Sequence, residues 1–188
     1  IMLIAFRISN FLSFDEPIEF VMRASSVRDH SDHVIRGQSS RYDVSILKSA
    51  LIYGANASGK SNFIKAVEFA RELVVNGLER TAAENKHFRL DKANLYKPTQ
   101  FEFEFKHNGK MYAYGVVLSL KDRKVQEEWL FELLKTTDRP VFERKVTEGG
   151  KSDITLGLKL NAEDKTRFEV YKKDIKDSQL FLAEINDK

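Results

Sequence analysis

Residues 54–61 read Gly-Ala-Asn-Ala-Ser-Gly-Lys-Ser, an octet that meets every fixed position of the pattern G-x-x-x-x-G-K-[ST]. Nothing else in the chain limits its fold as tightly, because this pattern works only as a bend between a strand and the start of a helix. From average residue usage, its four fixed positions arise by accident in roughly one chain of this length in a hundred. The flanks agree with the requirement. Leu47 to Tyr53 is an apolar run broken by Lys48 and Ser49, which predicts a buried strand leading into Gly54. Beyond the octet, Phe63, Ile64, Val67, Ala70, Leu73 and Val74 recur at helical spacing and predict an amphipathic helix ending near Asn76-Gly77.

The chemistry follows from the residue types. Gly54 and Gly59 let the backbone bend and approach a ligand with no Cβ in the way. The amides of Ala55, Asn56, Ala57, Ser58, Gly59 and Lys60 can then turn toward one point, a nest for oxyanions at the positive end of the helix. Lys60 is expected to reach the β and γ phosphates of a nucleoside triphosphate, and Ser61 to place its hydroxyl on Mg²⁺. Asn62 is either a donor toward the α phosphate or an ordinary exposed polar residue of the first turn.

Composition narrows the remaining classes. A chain of 188 residues with 42% apolar side chains suffices for one globular unit with a real core. Cysteine is absent, which excludes a disulfide scaffold, a Cys-based zinc site and a thiol nucleophile. No apolar run approaches the roughly eighteen residues of a membrane span and no leader pattern is visible, so the expectation is a cytoplasmic protein with no membrane partner. The net charge of +3 permits a polyanionic partner without arguing for one.

Around the octet, Met2 to Phe14 reads as a strand followed by a turn at Asn10 to Ser13, with a second strand from Pro17 to Met22. Ser25 to Asp43 is polar and holds His30, Asp32 and His33; this trio suggests a metal, but the spacing on a loop fixes no geometry, and the reading is a solvated connection. Arg80, Lys86, His87, Arg89, Lys92 and Lys97 are interspersed with Glu79, Glu84 and Asp91, without the aromatic alternation that would stack bases. That stretch reads as exposed surface. From Thr99 the period becomes two, with Phe101, Phe103 and Phe105 alternating with charged residues, and Asn108-Gly109 marks a hairpin. Strands are expected at Met111–Leu120, Val125–Leu134, Val141–Val146 and, after a turn at 148–151, Ile154–Leu158. Glu127, Glu128 and Glu132 read as solvated strand positions, Trp129 as a core anchor, and the tail from Asn161 to Lys188 as mostly helical.

The segments FRISNFLSF and LIYGANASGKSNFIKAVEFAR together resemble the ABC-like ATPases of the SMC and RecF type, closest to the AAA-type subfamily of bacterial abortive-infection, retron and restriction-associated defence loci. YAYGVVLSLKDRKVQEEWLFE and PVFERK are similar to the same subfamily's tyrosine-bearing strand, hairpin and Glu-x-Leu strand. The resemblance spans nearly all of the chain and is weakest from about Lys151 onward. It implies an α/β P-loop NTPase, an ABC-type lobe with a core strand-loop-helix and an antiparallel β-meander. Residues 1–188 would form one N-terminal ATP-binding lobe: strands, phosphate loop and helix over 1–78, sheet over 99–160, helical tail over 161–188.

The same resemblance implies ATP and Mg²⁺ as cofactors, self-association around ATP, and a nuclease-like effector partner in antiviral defence. In the wider family the turn after the first strand commonly carries a basic residue that helps hold the nucleotide; Leu12 stands there, leaving Ser13 and Asn10 as polar neighbours. Phe11 and Phe14 are expected to pack in the core rather than stack on adenine. Gln179 lies in about the region of the family's Mg²⁺-sensing glutamine. An N-K-x-D guanine reader is absent, since His87-Phe88 follows Asn85-Lys86. So are a strand ending in Asp-Glu and an L-S-G-G-like loop, so no catalytic residue is assigned and hydrolysis is expected only of a longer, intact ATPase. Two alternatives stay open: a DNA-repair ATPase of the SMC or RecF type that binds nucleic acid, and a scaffold that binds nucleotide without hydrolysing it.

Overall fold

The alternating phenylalanines of 101–105 form the middle of a seven-stranded antiparallel sheet that organises everything else. A computed structural model describes residues 1–26, 30–37, 44–147 and 149–186. Its strands are β1 (Met2–Ser9), β2 (Ile18–Val21), β3 (Val34–Ile35), β4 (Ile46–Leu47), β5 (Thr99–His107), β6 (Lys110–Ser119), β7 (Lys124–Leu133), β8 (Arg139–Val146) and β9 (Ser152–Leu156). The helices are α1 (Lys60–Asn76), α2 (Ala162–Asp174) and α3 (Phe181–Asn186). The large sheet runs β2-β1-β5-β6-β7-β8-β9, and β3 pairs with β4 in a separate two-stranded ribbon. The expected meander is thus β5 to β9, with β1 and β2 added at the β5 edge. Parts of the polar connection (27–29 and 38–43), residue 148 of the last hairpin turn, and 187–188 lie outside the described residues.

One face of the sheet is dry because α1 lies on it. Ala66, Phe69, Ala70 and Leu73 come from the helix, and they meet Phe6, Ile8, Phe101, Val116 and Leu118 from the strands. The rings of Phe11 and Phe69 are 4.8 Å apart and those of Phe11 and Phe101 5.1 Å apart in an edge-on contact. Phe11 is fully buried, as the core reading of that residue requires. Full burial of one such side chain contributes about 1.5–3 kcal/mol. Toward β7–β9 the same face is covered by α2 and α3, where Tyr114, Phe142, Ile154 and Phe181 form a second cluster.

Two expectations about β7 are corrected. Glu128 and Glu132 are buried rather than solvated. The reason is a bulge: Val117 pairs with Glu127 but Leu118 pairs with Val125, so Gln126 is an extra residue and the in–out alternation reverses across it. Val125 and Glu128 therefore face the same core. Glu128 accepts from the amides of Phe181 (2.7 Å) and Leu182 (2.9 Å) and from the Tyr114 hydroxyl (3.0 Å), with Arg144 3.5 Å away. Arg144 in turn donates to the carbonyls of Lys176 (2.8 Å) and Gln179 and to Ser152 Oγ (3.1 Å). Trp129 is only half-buried: its indole lies across Gly115, where any Cβ would stand 2.1 Å from the ring.

Candidate functional site

The segment ahead of the octet departs from expectation. The strand stops at Leu47, residues 48–53 are irregular, and Leu51 and Tyr53 are more than nine-tenths exposed. Apolar character alone cannot make a strand; a ladder needs a neighbour on at least one side, and among the described residues the pairing ends with Lys48 N on His33 O, with no strand beside 49–53. The loop that follows is bent as its sequence requires. Ser58 N donates to Ala55 O at 3.3 Å, Ala57 sits in the left-handed region at φ 65°, and Gly59 caps α1 at φ 91°. The first helical bond runs from Phe63 N to Gly59 O at 2.9 Å, and among the described residues the amides of Lys60, Ser61 and Asn62 have no acceptor. Gly54 to Ser58 and Ser61 are exposed, while Gly59, Lys60 and Asn62 are half-buried. Lys60 Nζ reaches back over the loop to Gly54 O (2.8 Å) and Ala55 O (2.7 Å).

A second element reaches this loop. The turn after β1 brings Ser13 Oγ to 3.1 Å, and the Phe14 ring to 3.8 Å, from where a Cβ on Gly59 would stand. Gly59 is therefore required twice, by its backbone angle and by this close approach. Asn10 is not a neighbour of the loop in that sense. It is buried, and its side chain is used up on residues 88–97, with Nδ2 donating to Asn94 O and Lys97 O and Oδ1 accepting from Phe88 N.

The strand-turn contact, the bent loop and the open helix start lie together at the N-terminal end of α1. A family model described as "AAA domain, putative AbiEii toxin, Type IV TA system" matches residues 49–178, more than half of the chain. The chain belongs to this AAA domain family. No curated protein matches the sequence. Membership makes the fold that of a P-loop NTPase, and it makes the family's general properties, nucleotide binding with Mg²⁺ and ATPase activity, the frame for the site.

Within this AAA domain the other candidate residues scatter. Gln179 does not approach the phosphate loop: it lines a cleft with Asn76, Gly77, Leu78 and Glu79, at the opposite end of a 17-residue helix about 25 Å long. Its amide is already engaged, accepting from Lys176 N and donating to Glu184. His30, Asp32 and His33 share one exposed turn and bring ligand atoms within 4.8 Å of one another, a tighter grouping than their spacing alone implied. Among the buried acids, desolvation pushes the Glu128 carboxyl above the ordinary carboxylate range, against the pull of the Leu182 and Phe181 amides. Burial likewise raises the Tyr114 phenol and lowers the Arg144 guanidinium. These groups bind the tail to the sheet and lie outside the loop. Among the described residues no helix is long and apolar enough to cross a membrane.

Sequence reasoning named Ser13 and Asn10 as polar neighbours of the nucleotide but did not foresee that Ser13 lies against Gly59 or that Asn10 tethers residues 88–97. The only local signal was the turn composition of Asn10 to Ser13, which names a turn without saying what it touches.

Proposed function

We propose that the chain is the ATP-binding lobe of an ABC-like ATPase of the bacterial defence type. The observation that carries this reading is the open start of α1: three orphan amides at the positive end of a helix, beside a lysine whose ammonium rests on two loop carbonyls. Moving Lys60 from those carbonyls onto phosphate oxygens exchanges hydrogen bonds of one kind for stronger, charge-assisted ones. In this reading the amides of Gly54, Ala55, Asn56, Ala57, Ser58, Gly59 and Lys60 wrap the triphosphate, Asn62 adds a donor, and the Ser61 hydroxyl is free to ligate Mg²⁺. When bound, Mg²⁺ neutralises charge on the phosphate tail.

The lobe reading draws support from an apolar surface beside the loop. Phe20, Met22, Ile46, Ile52, Phe63 and Ile64 line an open groove of about 700 Å³, continuous with the exposed Leu51–Tyr53 segment. In a longer ATPase such a face would be covered by the part that carries the Asp-Glu strand and the signature loop. Two ATP-bound copies would then close on each other and hold or release a nuclease-like effector in the cytoplasm.

Lys60→Ala tests the reading at both levels. The variant chain should lose ATP affinity by at least ~30-fold with its melting temperature unchanged, and the full-length variant should lose ATP-dependent dimerisation. Undiminished dimerisation would refute the closure mechanism; undiminished binding would refute the site.

A further inference from the structure

Asn10 commits its buried carboxamide to one distant loop: 2.9 Å bonds to the carbonyls of Asn94 and Lys97 and a 3.2 Å bond from Phe88 N. Its own carbonyl accepts from Thr99 Oγ1 at 2.8 Å, and Leu12 N donates to Lys86 O at 2.7 Å. Leaving such a buried group unpaired costs about 1–3 kcal/mol, so the loop is fixed to the turn. The next residues of that turn, Ser13 and Phe14, are the ones that lie against Gly59. Residues 86–88 are thereby tied to the turn whose next residues lie against Gly59 at the start of α1.

At this edge stand a lysine ammonium and an imidazole without a partner among the described residues. Lys86 and His87 are half-buried, and among the described residues neither side chain has a hydrogen bond or ion pair, whereas Lys97 of the same loop faces Asp15 at 3.9 Å. A cation partly withdrawn from water with no counter-charge is stabilised by any anion brought beside it. The phosphate loop offers neutral amides and a single ammonium to a tail carrying several negative charges.

We propose that Lys86, with His87 beside it, forms a second anion contact for the polyphosphate held at the phosphate loop. This rests on the reading that the loop binds a nucleoside triphosphate. A lysine suits the role because its ammonium is a compact point charge on a stem long enough to reach a mobile phosphate tail.

The test measures binding of a fluorescent ATP analogue to the 188-residue chain at low and high salt. Lys86→Gln should weaken binding about three- to tenfold and flatten its salt dependence, and Lys86→Arg should restore most of both. Arg89→Gln, an exposed cation of the same loop, should leave affinity within about twofold. If Lys86→Gln lowers the melting temperature, His87→Gln is read by the same criteria. Binding that disappears in Lys60→Ala but is unchanged in Lys86→Gln overturns this inference alone, as does an equal loss in Arg89→Gln, which would make the effect one of net charge. A wild-type chain that binds no nucleotide overturns this inference together with the reading beneath it.

Discussion

At its C-terminal end α1 runs into a bonded turn: Gly77 N donates to Leu73 O, Thr81 Oγ1 to Gly77 O at 2.8 Å, and Arg123 Nη2 to the carbonyls of Leu78, Glu79 and Thr81 just beyond the helix. At its N-terminal end the amides of Lys60, Ser61 and Asn62 have no acceptor among the described residues, and the residues leading into it lie in solvent. The far end is followed by a turn that Arg123 pins down, and the near end presents the positive pole of the helix dipole to whatever arrives. One helix thus separates two tasks. Its far end is an anchor for the fold, and its near end is left unfinished by the fold itself.

The largest effect should come from breaking the anchor. Leu180 packs beneath α1 and Ser178 Oγ donates to Glu79 at 2.8 Å, so the far end is partly built by the tail, which Glu128 and Arg144 bind to the sheet. Removing one partner of a buried ion pair strands the other, at a cost of about 3–5 kcal/mol. Glu128→Ala should therefore lower urea-unfolding stability by that amount while ATP affinity of the folded fraction changes less than about twofold. A parallel collapse of nucleotide affinity would show that the two ends are coupled.

The open end should respond in the reverse manner. Gly59→Ala places a Cβ 3.1 Å from Ser13 Oγ at a backbone angle that L residues rarely adopt. Strain of this kind costs roughly 1–2 kcal/mol, less than the anchor mutation. Its expected signature is a small fall in melting temperature joined to a loss of ATP binding of about tenfold or more, as the loop and turn move apart. A variant that binds as well as wild type would mean that the turn at Ser13 does not shape the loop.

The same contrast explains what was legible in the chain. The bounds of α1 followed from apolar spacing and from Gly59 and Gly77, and β5 and β6 from the phenylalanine alternation with Asn108-Gly109 between them, because these are local signals. Leu47 to Tyr53 misled because apolarity records a tendency to be covered, not the presence of a neighbour to do it. Glu128 misled because a single inserted residue, Gln126, reverses the alternation, and no property of that residue announces it. Asn10 was legible as a turn residue, but its partners lie 78–87 positions away, beyond any pattern in the nearby sequence.

The smallest predicted effect concerns acid, and it belongs wholly to the anchored end. Desolvation raises the folded-state pKa of Glu128 above the ordinary carboxylate value of 4.5, so between that value and the raised one the folded protein binds more protons than the unfolded chain. Stability from this group is then fully present below the ordinary pKa and is lost as pH rises through the folded one. Glu128→Gln keeps the shape and removes the titration, so the wild type, measured against this variant, should lose stability on going from about pH 4.5 toward neutrality. Melting temperatures of the pair across that range check the slope, and a difference that is flat or grows with pH would mean that Arg144 and the amide donors, not desolvation, govern the charge state of Glu128. ATP affinity measured over the same range should be unmoved by the substitution, because the carboxyl lies with the tail and not with the phosphate loop.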